Sequence, residues 1–339
     1  MKKKLMIFIT VLTLFVSCDE DKSKVVVCWG DSLTAPHVSG GIRSTIKKLI
    51  KGDDSYPSIL EDKLGKGYRV VNCGVGGETT LSIMGRQGAF PIKLAHDIII
   101  FNSEKSKFNK FIGNSDITVF ESTFNNEKAT PLIQSGWNET SSSNFNPCII
   151  NGKPFTIKSE SQFWREDGKY QFEYNYFIES NEIATKTDTL KKGSIIETNA
   201  MQKLRNVYAN VFFMGQNGGF KDASELIAQY KAMIKYSNCD KYIIIGYHKP
   251  NGSMPNINRM MEMEDSLTNA FGNHYINLRS YLVKDGLKDA DLTPSQIDTD
   301  SIMQNQVPLQ LLIDGTHFTS IGYALVGKLV AKRFKELGY

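Results

Sequence analysis

The stretch VVVCWGDSLT, Val25 to Thr34, decides how the chain is read. Three valines, a cysteine and a tryptophan form an apolar run with no polar alternation, the pattern of a strand covered on both faces. The run breaks at once into Gly30-Asp31-Ser32. These are ordinary turn formers, so the turn has a plain conformational reading. The other reading is that the strand stops in order to present Ser32 as a nucleophile at the carboxyl end of a sheet. The rest of the chain separates the two.

Working outward, apolar runs recur at Arg69–Cys73, Val207–Met214, Lys241–Tyr247 and His274–Leu278. Amphipathic segments at Tyr56–Leu64, Ala223–Tyr236, Ile257–Phe271 and Ile321–Leu337 fall between or after them, the last with Ala324, Leu325, Leu329 and Phe334 at helical spacing. Alternating strands and helices predict an α/β fold whose parallel sheet is covered on both faces, with reactive groups at the strands' carboxyl ends. Residues 97–198 break this rhythm. In KYQFEYNYFIE, Tyr170, Phe172, Tyr174 and Tyr176 share one face, and the turn pairs Gly113-Asn114, Asn151-Gly152, Asp167-Gly168 and Lys192-Gly193 punctuate the segment. This predicts a β-rich insert dividing the main domain into 25–96 and 199–339. Its aromatic face reads first as the insert's own core and second as a sugar-stacking platform.

At 339 residues, with 41% hydrophobic and 22% charged residues, the chain is an ordinary globular protein with room for one large domain and a smaller one. The formal charge of +4 counts Lys2, Lys3 and Lys4; without them 37 basic residues face 36 acidic ones. That balance gives no electrostatic ground for a nucleic-acid partner. MKKKLMIFITVLTLFVSC combines a basic start with an apolar run, Leu5 to Val16, too short to span a bilayer. Residues 1–17 therefore read as a signal peptide and the chain as exported. The close on Ser17-Cys18 resembles a bacterial lipoprotein signal, with Phe15 where leucine is usual. That resemblance implies that Cys18 becomes the lipid-bearing first residue, anchoring the protein in the periplasm or at the cell surface. Residues 18–24, with the acidic DEDK, read as a solvated tether. Cys28, Cys73, Cys148 and Cys239 have no metal-ligand spacing and read as small buried packing; no metal or cofactor is expected.

Three further segments carry chemistry. NCGVGGETT, Asn72 to Thr80, is a glycine-rich turn after the second strand; MGQNGG places Asn217 just beyond the third; IDGTHFTSIGY sets Asp314 and His317 three residues apart before the last helix. Each is weak alone. A phosphate loop is disfavoured because no Gly-Lys-Ser/Thr follows GVGG, and no G-x-S-x-G elbow is present. Taken together, and brought to one sheet edge, they supply what acyl transfer needs: a nucleophile, a base, a carboxylate to orient the base, and oxyanion donors.

The four blocks GDSLT, NCGVGGET, GQN and DGTH, in that order, resemble those of SGNH hydrolases of the GDSL family. The resemblance runs from Val25 to Tyr339, interrupted by the insert. It implies a three-layer α/β/α, flavodoxin-like domain with Ser32 as nucleophile, His317 as base and Asp314 as its orienter. It also implies oxyanion donors in the Ser32 amide, the Gly77 amide and the Asn217 side chain, with Gly74 and Gly76 as alternatives in the same turn. Glu78-Thr79 stands where the family usually has Asp-Thr. GRQGAFP, Gly85 to Pro91, and NPCIINGKPFTI, Asn146 to Ile157, resemble a bacterial subgroup that carries such an insert; some peptidoglycan O-acetylesterases also place a β module there. The implied activity is a serine esterase removing short acyl groups, acetyl foremost, from an extracytoplasmic carbohydrate ester through an acyl-enzyme. Two alternatives stay open: a lipase or lysophospholipase, and a non-catalytic surface glycan-binding lipoprotein. Against the latter, Ser32, Asn217, Asp314 and His317 are all present. The polar stretch Lys284–Pro308 reads as a lid or a structural loop, and His37 and His248 as surface residues or cleft-mouth groups. Oligomeric state and natural ester are left open.

Overall fold

A computed structural model describes residues 23–36, 54–100, 109–111, 117–119, 144–166, 169–182, 187–253 and 255–339. The expected signal peptide, Cys18 and His37 lie outside the described residues. In chain order the elements begin with β1 (Lys24–Gly30), α1 (Tyr56–Leu64), β2 (Tyr68–Gly74) and α2 (Thr80–Gln87). Eight strands follow: β3 (Ile92–Leu94), β4 (Ile98–Ile100), β5 (Asn109–Phe111), β6 (Ile117–Val119), β7 (Cys148–Ile150), β8 (Lys153–Glu166), β9 (Lys169–Ser180) and β10 (Asp188–Leu190). The main domain then resumes with α3 (Asn199–Lys203), β11 (Ala209–Phe213), α4 (Ala223–Ser237), β12 (Tyr242–Ile245), α5 (Ile257–Phe271) and β13 (Tyr275–Ile276). It closes with α6 (Leu278–Tyr281), a π-helical turn (Leu282–Gly286), α7 (Leu287–Asp289), α8 (Gln296–Met303) and α9 (Ser320–Glu336).

The central sheet runs β13-β12-β11-β1-β2, and every pairing in it is parallel. Numbered by the order of these five strands, this is the 2-1-3-4-5 order of flavodoxin-like sheets. The apolar opening run explains why β1 is central: Val26, Val27, Cys28 and Trp29 are all at most 1% exposed, as a strand flanked by two others and two helix layers requires. Helix α9 packs on α1, while α4 packs on α2 and α5. The α9–α1 approach is close enough that a Cβ at Gly327 would lie 2.6 Å from Ile59 Cβ. Trp29 Nε1 donates to Asn210 Oδ1 at 3.0 Å, satisfying a buried indole across the sheet.

The segment between α2 and α3 is β-rich. Strands β5, β9, β8 and β7 form an antiparallel sheet, and β3–β6 and β4–β10 form two short pairs. The alternating run that suggests a strand lies in β9, paired along its length with β8; the side chains of Tyr170, Phe172, Tyr174 and Tyr176 lie outside the described residues. Phe145, Cys148, Ile150, Phe155, Ile157 and Ile178 join the main hydrophobic core. The return to the main domain is pinned by Thr198 Oγ1, which donates to the Arg86 carbonyl at 2.7 Å. Of the cysteines, Cys28, Cys73 and Cys148 are buried and Cys239 half-buried, and all four are free thiols.

The stretch Lys284–Pro308 corrects one expectation. It is not a continuous loop: residues 284–289 and Gln296–Met303 are helical, and the stretch is held by buried polar anchors. Asp298 accepts from the Ser295 amide at 3.0 Å and from the Gln310 amide at 3.1 Å. Burial pushes its carboxyl up, but these hydrogen bonds and those from the Ser295 and Gln310 side chains outweigh burial and bring it to about 2. Just upstream, Arg279 forms a buried ion pair with Glu264 at 2.5 Å. Polar composition concealed the helices because the anchoring groups are themselves polar. Among the described residues no helix is long and apolar enough to cross a membrane.

Candidate active site

The turn that carries Ser32 is built by contacts that the GDS triplet makes possible. A Cβ at Gly30 would fall 2.4 Å from the Phe213 carbonyl oxygen, so glycine is needed where β1 leaves the sheet beside β11. The Asp31 carbonyl accepts from the Thr34 amide at 3.1 Å and the Ala35 amide at 3.0 Å, while Asp31 Oδ1 accepts from the Leu33 amide at 2.9 Å. These three bonds wind the chain into a single tight turn. Ser32 sits on that turn, half-buried, at the carboxyl end of β1.

His317 arrives from a second tight loop. The Ile313 amide donates to the His317 carbonyl at 2.7 Å, the Thr319 amide donates to the Leu311 carbonyl at 2.9 Å, and Gly315 takes a left-handed φ of 76°. Asp314 Oδ1 accepts from the amides of Thr316 at 3.0 Å and His317 at 2.8 Å. Its Oδ2 lies 2.8 Å from His317 Nδ1, and His317 Nε2 lies 2.8 Å from Ser32 Oγ. Burial pushes the Asp314 carboxyl up, yet the His317 amide and ring and the Thr316 amide together bring it to about 2. An ionised Asp314 holds the imidazole proton on Nδ1, leaving Nε2 to accept from Ser32. The Asp314 side chain is 54% exposed, so its Coulombic effect on His317 is partly screened by water.

The groups expected to donate to a developing oxyanion are the Ser32 amide, the glycine turn after β2 and Asn217. The Gly74 amide already donates to Asn72 Oδ1 at 2.9 Å, which removes it from the three candidate glycines. A Cβ on Gly76 would stand 3.8 Å from Ser32 Cβ, placing the glycine turn against Ser32, and Gly77 takes a φ of 83°. Among the described residues, no backbone hydrogen bond engages the amide of Ser32, Gly76 or Gly77. Asn217 Nδ2 donates to the Glu78 carbonyl at 3.1 Å and approaches Asp31 Oδ2 at 3.4 Å. The loop carrying it is tied to the glycine turn by Thr80, whose amide donates to the Gly218 carbonyl at 3.1 Å and whose Oγ1 donates to the Gly219 carbonyl at 2.8 Å. Ser32, the Gly76-Gly77 turn, Asn217, Asp314 and His317 thus meet at one sheet edge.

Two features of this edge escaped the sequence reading. Glu78 and Arg86 form a buried ion pair, with Arg86 Nη2 2.7 Å from Glu78 Oε2 and Nε 3.1 Å from Oε1. Arg86 Nη2 also donates to the Cys73 carbonyl at 2.8 Å, and the guanidinium lies 5.6 Å from the centre of the Trp29 ring. The pair therefore clamps the end of β2 to the residue whose carbonyl holds Asn217. The i, i+8 separation across a turn and a helix gave no periodic signal. The second feature is Asp31, which is 1% exposed; burial pushes its carboxyl up to about 7, against the Leu33 amide and the nearby His317.

His248 requires a correction. It is not a surface residue: it is 3% exposed, packed against the Phe318 ring at 4.6 Å, and burial lowers its pKa to about 3, so the ring is neutral. The neighbouring Lys249 is exposed and donates to Thr316 Oγ1 at 3.0 Å, bracing the loop that carries His317. Among the described residues no group of three or more His, Cys, Asp or Glu side chains could hold a metal ion.

The fold and these five groups define an α/β/α scaffold with a serine–histidine–aspartate relay, the arrangement that the resemblance to SGNH hydrolases implies. No family model matches the chain, and no curated protein matches it by sequence. Among solved structures, it is similar to Est24, a carbohydrate acetylesterase from Sinorhizobium meliloti, at 10% identity and a TM-score of 0.38, covering 93% of this chain and 100% of that one. A peptidoglycan O-acetylesterase matches at 12% identity and a TM-score of 0.36, covering 94% and 92%. The native aryl esterase of M. smegmatis matches at 9% identity and a TM-score of 0.37, covering 93% and 100%. Likeness this distant carries no weight for activity, which must come from the site's own geometry.

Proposed function

We propose that the chain is a serine esterase of the SGNH type that removes short acyl groups, acetyl foremost, from a carbohydrate ester outside the cytoplasm. One observation carries the proposal: the unbroken relay from Ser32 Oγ through His317 to Asp314, with both links at 2.8 Å. A serine hydroxyl held this way can pass its proton to Nε2 as Oγ attacks an ester carbonyl carbon. The resulting oxyanion is received by the amides of Ser32 and the Gly76-Gly77 turn and by Asn217. Collapse breaks the ester C–O bond, and His317 returns the proton to the departing alcohol oxygen. Water then attacks the acyl-Ser32 carbonyl with His317 again as base, releasing the carboxylic acid and restoring the serine.

Two considerations support a carbohydrate ester. The leader predicts export, where glycans are abundant, and the β-rich segment joins the main domain directly after α2, whose N-terminal residue Thr80 is tied to the loop of Asn217. The test compares nitrophenyl acetate, butyrate and palmitate with an acetylated glycan. The proposal expects acetate to be the preferred nitrophenyl ester and acetyl to be released from the glycan. A preference for palmitate would move the substrate class to lipids.

A further inference from the structure

The end of the central sheet opposite Ser32 carries an unusual residue set. Every strand contributes an aromatic or a lysine at or just before its beginning: Tyr68 opens β2, Lys24 opens β1, Tyr208 precedes β11, Lys241 precedes and Tyr242 opens β12, and His274 precedes β13. They form one connected surface. Lys24 Nζ lies 5.0 Å from the Tyr68 ring centre and 4.7 Å from that of Tyr208, and Lys241 Nζ lies 4.9 Å from Tyr208. His274 stacks on Tyr242 at 4.3 Å, and Tyr339 joins through its hydroxyl, 3.0 Å from His274 Nδ1. The tyrosines are half-buried, with one side of the set packed on the sheet and the other in water, and Lys24 is exposed. Lys66, exposed in the turn before β2, adds a third ammonium; Asp240, and Glu336 held by Arg333 beside Asn273, are acidic groups near this edge.

We propose that this edge is a membrane-docking face, lying on the headgroup layer of the bilayer that holds the chain's N-terminus. The inference rests on the membrane anchor read at Cys18, and its consequence for substrate rests on the esterase reading. The first described residue is Ser23, at this edge, so residues 18–23 are all that separate the anchor from the face. Six residues fully extended reach about 20 Å, so the face can never stand far from the membrane. Tyrosine and lysine are the side chains suited to the headgroup layer, the ring lying among glycerol and carbonyl groups and the ammonium meeting lipid phosphate.

Docking by this edge fixes the direction of the active site. Gly30 ends β1 six residues beyond Lys24, which is about 20 Å along the strand. Ser32 then faces away from the bilayer at a distance that an acyl chain of the same membrane's lipids cannot reach. The substrate that this geometry admits is an ester on a polymer or soluble molecule standing off the membrane.

The test uses the full chain with Cys239→Ser, so that only buried native thiols remain among the described residues and the Cys18 sulfur is carried as its lipid thioether, and a fluorescent thiol label at Lys66→Cys or at Gly252→Cys. Position 252 is open, since a Cβ there meets nothing within 4 Å. Each protein is placed on vesicles of phosphatidylglycerol and phosphatidylethanolamine, with and without a doxyl-labelled lipid. Quenching severalfold stronger at 66 than at 252 is expected. Lys24→Glu with Lys241→Glu should reduce that difference while leaving nitrophenyl acetate turnover unchanged, and the vesicle lipid should remain intact. Equal quenching at the two positions, stronger quenching at 252, or no association with the vesicles would overturn the proposal. Preferential quenching at 66 in a chain whose mass shows no lipid would remove the anchor reading alone. The same quenching in a chain without esterase activity would remove the catalytic reading alone.

Discussion

Replacing Asp31 by asparagine separates two consequences of burying a carboxyl beside the nucleophile. Burial raises this group from 3.8 to about 7. Its folded pKa therefore lies above its unfolded value, so its contribution to stability is largest below pH 4 and is lost as the pH rises through 7. A shift of about 3 units at 1.36 kcal/mol each bounds the loss at ~4 kcal/mol. An asparagine side chain cannot ionise, so the stability of Asp31→Asn relative to the parent should improve by about 2–4 kcal/mol between pH 4 and pH 8. Activity should move the opposite way. Asp31 uses one oxygen for the Leu33 amide and turns the other toward Asn217 Nδ2, whereas an asparagine has a single oxygen and must set an NH2 against one of those donors. Loosening either contact at about 1–2 kcal/mol lowers kcat by roughly tenfold. Urea unfolding at pH 4, 6 and 8, with nitrophenyl acetate kinetics at pH 8, measures both. A stability difference that does not change with pH would refute the argument that the buried group is a carboxyl titrating near neutrality.

Three other substitutions probe separate parts of the site. Asn217→Ala should lower kcat by about a hundredfold or more, with thermal stability nearly unchanged because the side chain is exposed; an effect confined to KM would make Asn217 a binding residue instead. Glu78→Gln leaves Arg86 buried without its charge partner and should destabilise the fold by about 3–5 kcal/mol, read by urea unfolding; a loss under about 1 kcal/mol would mean that water or another group already serves the guanidinium. His317→Ala should reduce turnover more than Asp314→Ala, since His317 moves the proton while the exposed Asp314 acts through it; the reverse order in steady-state kinetics would contradict the assigned roles.

How much of this was legible in the sequence depended on the kind of signal each part carries. The inner strands β1, β11 and β12 announced themselves because a parallel strand buried on both faces is almost wholly apolar, as in Val25–Trp29. Helices α1 and α5 match the predicted bounds because each presents one apolar stripe to the sheet. The site residues could be nominated because turns at strand ends need Gly, Asp, Asn and Ser, and the same residues appear where chemistry is done. What the sequence hid is interaction at a distance. The Glu78–Arg86 pair, the burial of His248 and the anchoring of α8 through Asp298 depend on which polar groups the fold brings together, and no local pattern reports that. The choice among Gly74, Gly76 and Gly77 was likewise closed to composition, and one hydrogen bond, from the Gly74 amide to Asn72, narrows it.

The most direct test is to trap the acyl-enzyme. The purified protein is mixed with nitrophenyl acetate, quenched in acid within the first turnover and analysed by intact mass and peptide mapping. The relay predicts the mass of one added acetyl group on the peptide carrying Ser32, absent in Ser32→Ala, which should also lose activity while unfolding as the parent does. An acetyl group on another residue, or full turnover by Ser32→Ala, would contradict the assignment of Ser32 as the nucleophile.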